Sequence, residues 1–301
     1  DHVTKSYELG IVNRGDRAFV DVIDGGMVNR YQDCVSDVCP VGALTKKKFR
    51  FKKRVWFLKH AESVCWGCSR GCNTVIDHDG REVYRVMPRH NDAVNQYWMG
   101  DEGRDLFETR LGERLLFPVV DGAQTSWDQA LDDAAEMLGI TPERTAVLAS
   151  GMGSNEEAAV AAALLSSVPE ALRAVKSDWQ TGTPGDDILR TGDDNANRKG
   201  VAAAGFGADV DAVVEAVRGG AVDTLVVWGR GAVEHLGDVQ GALGQVARVL
   251  YLGFEPDAVS ELATVVLPIA APHETAGSFT NIDGITSAFE VALSAPGTAR
   301  S

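Results

Sequence analysis

The pattern of apolar and polar positions divides the chain into three parts. In the first, from Asp1 to about Lys53, the predicted elements are short, and turn signals such as Arg14–Arg17 and Asp24–Gly26 separate them. We interpret this part as the remnant of a small module.

The second part, residues 54–108, has the pattern of short strands. The aromatic and β-branched run Val55–Leu58 predicts one strand. Two more, Asn73–Ile76 and Glu82–Val86, flank the hairpin turn signal Asp77–Gly80. We expect a small β subdomain that presents the cysteines of this part.

From about Thr109 onward, helices alternate with buried strands. A helix capped by Thr125 or Ser126 is predicted to end at Gly139. Further elements are predicted as strands Thr145–Ala149, Thr224–Trp228, Val249–Leu252 and Thr264–Leu267, and as helices Glu156–Leu165 and Val210–Val217. Apolar, β-branched strands separated by helices predict a parallel sheet covered on both faces. The stretch Lys176–Gly207 is rich in Gly and Asp and is predicted to be a long loop.

Composition and charge narrow the class of protein. With 301 residues, 45% of them apolar, the chain can bury a substantial core in two domains or in one large domain with an appendage. A net charge of -14 argues against nucleic-acid binding, because phosphate recognition depends on Lys and Arg. The longest apolar runs, such as Ala158–Leu165, are too short to span a bilayer, so we expect no direct membrane insertion. The chain begins at Asp1 without a leader, and we expect that preceding residues are missing.

One local run is strongly basic. Seven of the nine residues from Lys46 to Arg54 are Lys or Arg. Such a run is commonly a solvated face. It can also raise the reduction potential of a nearby anionic cluster, or dock an acidic partner.

The cysteines suggest metal chemistry. All five lie between residues 34 and 72. An odd number of closely spaced cysteines without a leader favours cluster ligation over disulfides. Three of them, Cys65, Cys68 and Cys72, form a C-x2-C-x3-C triad whose thiolates can face three corners of a [4Fe-4S] cubane. The alternatives are a disulfide pair with a spare thiol, and a zinc site with a further ligand.

A separate Cys39-Pro40 pair fits the remote ligand of a ferredoxin-type module, although a buried free cysteine before a turn gives the same pattern. Its surroundings are more specific. The run Asp37–Thr45, followed by Arg50-Phe51 and Arg54–Trp56, resembles a segment of the large peripheral-arm subunit of NADH:quinone oxidoreductase, respiratory complex I. In that family the segment carries the fourth ligand of a four-cysteine [4Fe-4S] cluster.

This resemblance implies that Cys39 ligates such a cluster and that its three partner cysteines lie before Asp1, outside this chain. A [2Fe-2S] cluster is implied only in the same missing part. Cys34 falls where the family has a non-ligating residue, so we interpret it as a structural or adventitious thiol.

The Cys65 triad resembles the cluster-binding segment of molybdopterin-type oxidoreductases, a module that the bacterial complex I subunit shares. The family has a fourth cysteine in the context Trp98–Arg104, where this chain has Gly100. Three possibilities stay open. Asp101 or a water completes the cluster, a [3Fe-4S] form is bound, or the site has lost its cluster.

The C-terminal half extends the resemblance. The segments Asp186–Arg190 and Glu274–Asn281 look like parts of a molybdopterin-oxidoreductase domain, so the resemblance covers Asp1 to Arg300. Because no cysteine follows Cys72 to ligate molybdenum, we expect this domain to lack the molybdenum cofactor.

Two features of this half favour structural roles. Gly151–Glu157 has the outline of a dinucleotide loop but lacks its third glycine, and Ser154 with Glu157 predicts a capping box that needs no ligand. His235 and His273 stand alone in apolar surroundings, and no pair of nucleophile and base can be assembled.

The predicted fold is α/β in three parts. Residues 1–53 are the end of a ferredoxin-like [4Fe-4S] module, residues 54–108 a small β-rich iron–sulfur domain, and residues 109–301 a doubly wound domain like that of molybdopterin oxidoreductases. All three descriptions rest on the resemblance as well as on the pattern.

The resemblance implies an electron-transfer subunit without a complete active site of its own, which relays electrons from NADH and FMN through iron–sulfur clusters toward quinone. Its partners would be other peripheral-arm subunits, including the flavin- and NADH-binding one, on the cytoplasmic side of a bacterial inner membrane. Two alternatives stay open: a fragment of a molybdenum-dependent oxidoreductase resembling formate dehydrogenase, and a cluster-free interaction scaffold.

Overall fold

The computed structural model describes residues 4–23, 26–176, 184–207, 209–229, 232 and 239–300. The helices are α1 (Cys34–Val38), α2 (Asp101–Arg110), α3 (Trp127–Ile140), α4 (Asn155–Leu164), α5 (Arg198–Ala203), α6 (Val210–Arg218) and α7 (Val239–Leu243). The strands are β1 (Leu9–Val12), β2 (Phe19–Val22), β3 (Lys59–Val64), β4 (Asn73–His78), β5 (Val83–Pro88), β6 (Val119–Val120), β7 (Ala123–Gln124), β8 (Thr145–Ala149), β9 (Arg173–Val175), β10 (Thr224–Trp228), β11 (Arg248–Gly253), β12 (Val265–Pro268), β13 (Gly277–Thr280) and β14 (Thr286–Phe289).

The largest sheet in these ranges has the strand order β7-β6-β12-β11-β10-β8-β9. Strands β12, β11, β10, β8 and β9 run parallel, and the short β6 and β7 continue the sheet antiparallel at the β12 edge. The mixed α/β class predicted from the alternating pattern is therefore confirmed.

Helices cover both faces of this sheet, because successive side chains of a strand point to opposite sides. Ala146 and Leu148 of β8 face a core that includes Val213 and Val217 of α6. The alternate residue Val147 packs in a second core with residues of α3, α4 and α5. Every residue of β8 and β10 is buried, which is why each strand is a continuous apolar run after its first residue, a buried threonine.

The cysteine-bearing region is a smaller antiparallel sheet of β3, β4 and β5. The β13–β14 hairpin, from the C-terminal part of the chain, packs beside β3, and the Glu290 N–H donates to the Glu62 carbonyl at 2.8 Å. The small sheet and the large domain are thus joined along the edge of β3.

The N-terminal residues form the β1–β2 hairpin and the short helix α1. Apolar side chains are exposed on this hairpin, among them Ile11 and Val20. The turn signal at Arg14–Arg17 corresponds to a single 3-10 turn.

Several sequence predictions agree with the structure. Strands β8 and β10 have the predicted bounds, and Ser126 caps α3 by accepting the Gln129 N–H. The capping box at Ser154 and Glu157 is confirmed in both directions.

Other predictions were wrong in detail. Val55–Phe57 is an exposed 3-10 turn rather than a strand, because pairing with β4 begins only at Lys59. Helix α3 continues through Gly139 to Ile140, and β4 extends through His78, so that the hairpin turn follows at Asp79.

The predicted loop Lys176–Gly207 contains helix α5. Residues 177–183 of that loop, His235, and the turn residues Asp24 and Gly25 lie outside the described residues. Across the part of the chain that is described, we find no helix with the length and apolar character that crossing a membrane requires.

Candidate metal centre

The triad of cysteines occupies the connection between β3 and β4. Cys65 follows the last residue of β3, and Cys72 precedes the first residue of β4. The Cys65 N–H donates to the Cys72 carbonyl at 2.8 Å, and the Gly71 N–H donates to the Cys68 carbonyl at 3.3 Å. The connection therefore closes into a compact loop, and all three thiols are buried.

Two glycines make this loop possible. Gly71 has φ +62°, a left-handed conformation that favours glycine, and it turns the chain between Cys68 and Cys72. Gly103 of α2 approaches from the other side, where a Cβ would lie 2.6 Å from the Cys65 sulfur. Only a residue without a side chain leaves that sulfur in its place.

The three cysteines line one pocket together with the N-terminal end of α2. The remaining lining residues are Tyr31, Gly67, Met99, Gly100, Glu102, Gly103, Leu189 and Arg190. The structure therefore brings together the predicted triad and Gly100, the position at which the resemblance implies a fourth cysteine.

The charge around the pocket suits thiolates that hold a metal group. Burial raises the pKa of the Cys65 and Cys72 thiols, and repulsion from the neighbouring cysteines raises it further. The positive charge of Arg190 lowers the pKa of Cys65, and the positive charge of Arg70 lowers the pKa of Cys72. Without a metal these thiols are held neutral, whereas ligation would deprotonate them beside compensating cations.

One buried donor lacks a partner at this pocket. Arg190 is 11% exposed and pairs with Asp194 through Nη2 at 2.6 Å, while its Nε has no hydrogen-bond partner in the described part of the chain. A buried guanidinium N–H beside three thiols fits an anionic group bound among them.

Loops of the large domain hold the cysteine loop in place. The Ser69 N–H donates to the Asp193 carbonyl at 2.7 Å. Arg70 donates to the Leu189 carbonyl at 3.0 Å and pairs with Asp283 at 2.7 Å. Residues 186–194 and 274–283, which include both C-terminal segments of the family resemblance, thus frame the triad.

Residues 100–102 differ in how they lie relative to the triad pocket. Gly100 lines the pocket with φ -69° and ψ 147°, a conformation open to any residue. The Asp101 carboxylate instead accepts the Asp33 N–H at 3.2 Å and lies 3.6 Å from Arg104. Glu102 does line the pocket, although no sequence pattern marks it as a site residue.

Cys39 lies apart from the triad pocket, at the end of α1. The Leu44 N–H points at its sulfur, 3.4 Å away. This contact, with the N–H groups of the intervening loop, lowers the pKa of Cys39 below its usual range. A partly exposed thiol surrounded by backbone donors has the environment of a cluster ligand.

Cys34 is a packed core thiol. It is buried, donates to the Met99 carbonyl at 3.3 Å and accepts from Arg104 at 3.3 Å. Burial raises the pKa of this thiol, in keeping with a structural role.

Two lysines of the basic run form ion pairs with acidic residues of this chain. Lys46 bonds to Asp105 of α2 and lies 3.1 Å from Asp33, while Lys48 bonds to Asp105 at 2.7 Å and to Glu108 at 2.6 Å. These pairs fasten the Cys39 segment to α2, the helix that borders the triad pocket.

Within the described ranges, no three His, Cys, Asp or Glu side chains are arranged to hold a single metal ion. The zinc alternative therefore gains no support. An iron–sulfur cluster spreads its thiolate bonds over several irons, so its ligands need not converge on one ion.

Comparison with known proteins points to one family. Residues 58–108 match the family described as NADH-ubiquinone oxidoreductase NDSU1/NuoG-like, 4Fe-4S domain. The matched residues contain the whole triad, Gly100 and Glu102.

The chain is 33% identical over 155 residues to the G subunit of NADH-quinone oxidoreductase from Rickettsia felis, covering 50% of this chain and 23% of that protein. Half of this chain is thus similar to a NuoG-like subunit of NADH-quinone oxidoreductase. Mitochondrial relatives match as well. The potato iron-sulfur protein 1 of NADH dehydrogenase is 36% identical over 156 residues, with 50% of this chain and 21% of the relative covered.

The 78 kDa NADH-ubiquinone oxidoreductase subunit of Neurospora crassa is 38% identical over 133 residues, with 42% of this chain and 18% of the relative covered. The matched segments thus span less than a quarter of the length of these three relatives.

Proposed function

We propose that this NuoG-like chain is an electron-relay segment of NADH:quinone oxidoreductase, which passes electrons from NADH and FMN toward quinone through iron–sulfur clusters. The observation that carries the proposal is the pocket in which Cys65, Cys68 and Cys72 meet the end of α2. The match of residues 58–108 to a 4Fe-4S domain supports an iron–sulfur group there.

In this proposal Cys65, Cys68 and Cys72 hold a [4Fe-4S] or [3Fe-4S] cluster. When bound, the cluster supplies a centre that gains and loses single electrons. The residues of the chain set the environment of the cluster. They bury the sulfurs, fix the loop through Ser69 and Arg70, and place cations near the thiolates.

Cys39 is proposed to ligate a separate [4Fe-4S] cluster together with cysteines outside this chain. Its support is the set of N–H donors directed at the sulfur, since hydrogen bonds to thiolate ligands tune the potential of a cluster. Lys46 and Lys48 place positive charge between this segment and α2. We propose no [2Fe-2S] cluster on the residues of this chain.

The domain assignment is likewise proposed. Residues 1–53 correspond to the end of a ferredoxin-like module, residues 54–108 to the iron–sulfur domain, and residues 109–301 to a molybdopterin-oxidoreductase-like domain. Support for the last comes from the doubly covered parallel sheet.

We propose that this domain holds no molybdenum cofactor. At the carboxyl edge of the sheet the Trp228 ring packs directly on the β8–α4 turn, where a Cβ on Gly153 would lie 2.0 Å from it. No cysteine lies in this half of the chain. We propose that the domain binds other peripheral-arm subunits, including the flavin- and NADH-binding one, at the cytoplasmic face of a bacterial membrane.

The test is iron and sulfide content after anaerobic reconstitution of the 301-residue chain. Cys65→Ser, Cys68→Ser and Cys72→Ser should each abolish or strongly reduce cluster binding. Cys34→Ser is the matched control, because this buried thiol lies outside the pocket lining, and it should keep the full amount. A wild-type chain without iron or sulfide above the level of Cys65→Ser would overturn the proposal and favour the cluster-free scaffold.

A further inference from the structure

We propose that Glu102 supplies the fourth protein ligand of the cluster held by the Cys65 triad, in place of the cysteine that Gly100 replaces. The inference rests on the proposed function, since it presumes a cluster in this pocket. It names a ligand that neither the sequence pattern nor the family match assigns.

The position of the Glu102 carboxylate carries the proposal. Its Oε2 atom lies 3.4 Å from the point that a Cβ on residue 100 would occupy. A cysteine at residue 100 would place its sulfur one bond beyond that point, so the carboxylate stands beside the corner of the missing thiolate. Glu102 also lines the pocket that contains the three cysteines.

The two oxygens of Glu102 have different surroundings. Oε1 accepts from Arg30 Nε at 2.6 Å, and Arg30 is itself anchored by donating to the Pro184 carbonyl at 2.9 Å. In the described part of the chain no hydrogen bond or ion pair is found for Oε2. Arg30 therefore fixes the carboxylate and leaves one oxygen available toward the pocket.

Asp101, the other acidic residue beside Gly100, is less suited to this role. Its carboxylate accepts the Asp33 N–H, lies 3.6 Å from Arg104 and is not part of the pocket lining. To reach the triad it would have to leave both partners. In the first turn of α2, Asp101 therefore contacts Asp33 and Arg104, whereas Glu102 lines the triad pocket.

Charge and ligand chemistry agree with this assignment. A carboxylate carries the same single negative charge as the thiolate it would replace, so the total ligand charge is unchanged. Carboxylates also bind iron in other protein sites. Glu102 lies in the first turn of α2, whose dipole favours an anionic group at that end.

The experiment counts irons per chain in the anaerobically reconstituted protein, with Cys65→Ser as the background, and records the paramagnetic resonance spectrum. Wild type should bind four irons, and Glu102→Ala should lose one of them and show the oxidised three-iron signal. The double variant Gly100→Cys with Glu102→Ala should return to four, because a Cβ at residue 100 has only ordinary contacts. Asp101→Asn is the matched control and should keep four.

Four irons and an unchanged spectrum in Glu102→Ala would overturn the assignment while leaving the cluster proposal standing. Loss of one iron in Asp101→Asn but not in Glu102→Ala would do the same. Absence of iron from wild type would overturn both. The Glu102 side chain is 39% exposed, so replacing it should not unfold the chain. Glu102→Gln provides a second, isosteric variant, and an unchanged urea midpoint would show that it is folded.

Discussion

Gly103 provides a sharp test of the packing at the triad, because an added methyl group has two opposing effects there. Gly103 lies inside α2, where Gly→Ala gains about 0.8–1 kcal/mol of helix propensity. The new Cβ, however, would lie 2.6 Å from the Cys65 sulfur and 3.1 Å from the end of Met99. Overpacking of this kind costs about 1–3 kcal/mol.

Gly139 is the matched control. It lies in the last turn of α3, is exposed, and has nothing within 4 Å of an added Cβ. Gly139→Ala should therefore gain up to about 1 kcal/mol without a packing cost. The difference in unfolding free energy between the two alanine variants isolates the packing effect at Gly103.

We expect Gly103→Ala to be less stable than Gly139→Ala by about 1–2 kcal/mol in urea unfolding of the reduced, metal-free chain. The cost stays in the lower part of the range because the Cys65 sulfur can rotate away. That rotation takes the sulfur out of the pocket, so iron binding should fall in Gly103→Ala and stay normal in Gly139→Ala. Equal stability gains and equal iron content would refute the packing described here.

Three further predictions concern the frame around the site. Arg114→Ala should cost about 3–5 kcal/mol in urea unfolding, because it leaves Glu274 charged and 3% exposed without its partner; a cost below about 1 kcal/mol would contradict the buried pair. Burial lowers the pKa of His273 to about 4. The unfolded chain, whose histidine has a pKa of about 6.5, therefore binds this proton at a higher pH than the folded chain does. The free energy of unfolding should fall by about 2–3 kcal/mol as the pH drops from about 6.5 to about 4. His273→Leu should remove that part of the acid dependence, and an unchanged pH profile would argue against a buried neutral ring. Arg70→Gln should speed amide hydrogen exchange of Cys65, whose N–H closes the loop that Arg70 holds, whereas the exposed control Arg81→Gln should not; equal rates in both would show that the contacts of Arg70 are dispensable.

The elements that follow from a short sequence pattern were predictable from the sequence. Strands β8 and β10 are apolar, β-branched runs buried on both faces, and their bounds follow from that pattern alone. The capping box at Ser154 and Glu157 needs only two residues at fixed spacing. Both predictions depend on patterns that can be read from a short stretch of sequence.

Predictions failed where tertiary contacts decide. The run Val55–Phe57 has strand composition but forms an exposed 3-10 turn, because β3 begins only at Lys59 where pairing with β4 starts. Local propensity is a weak guide when packing or pairing sets the boundary.

The same division applies to the candidate site. Cysteine spacing identifies the triad, but some of the other pocket residues come from distant segments, such as Tyr31 from the N-terminal part and Arg190 from a loop before α5. Neither belongs to a spacing pattern with Cys65. Sequence reasoning names Asp101 as one possible fourth ligand and does not name Glu102. The structure shows that Glu102 lines the pocket and that Asp101 does not.

The most direct test of the relay proposal is electron paramagnetic resonance of the anaerobically purified, dithionite-reduced chain, measured beside its Cys65→Ser variant. We predict an iron–sulfur signal in the wild type that the variant lacks. No iron–sulfur signal in the wild type, either oxidised or reduced, would contradict the claim that these thiols hold an electron-carrying cluster.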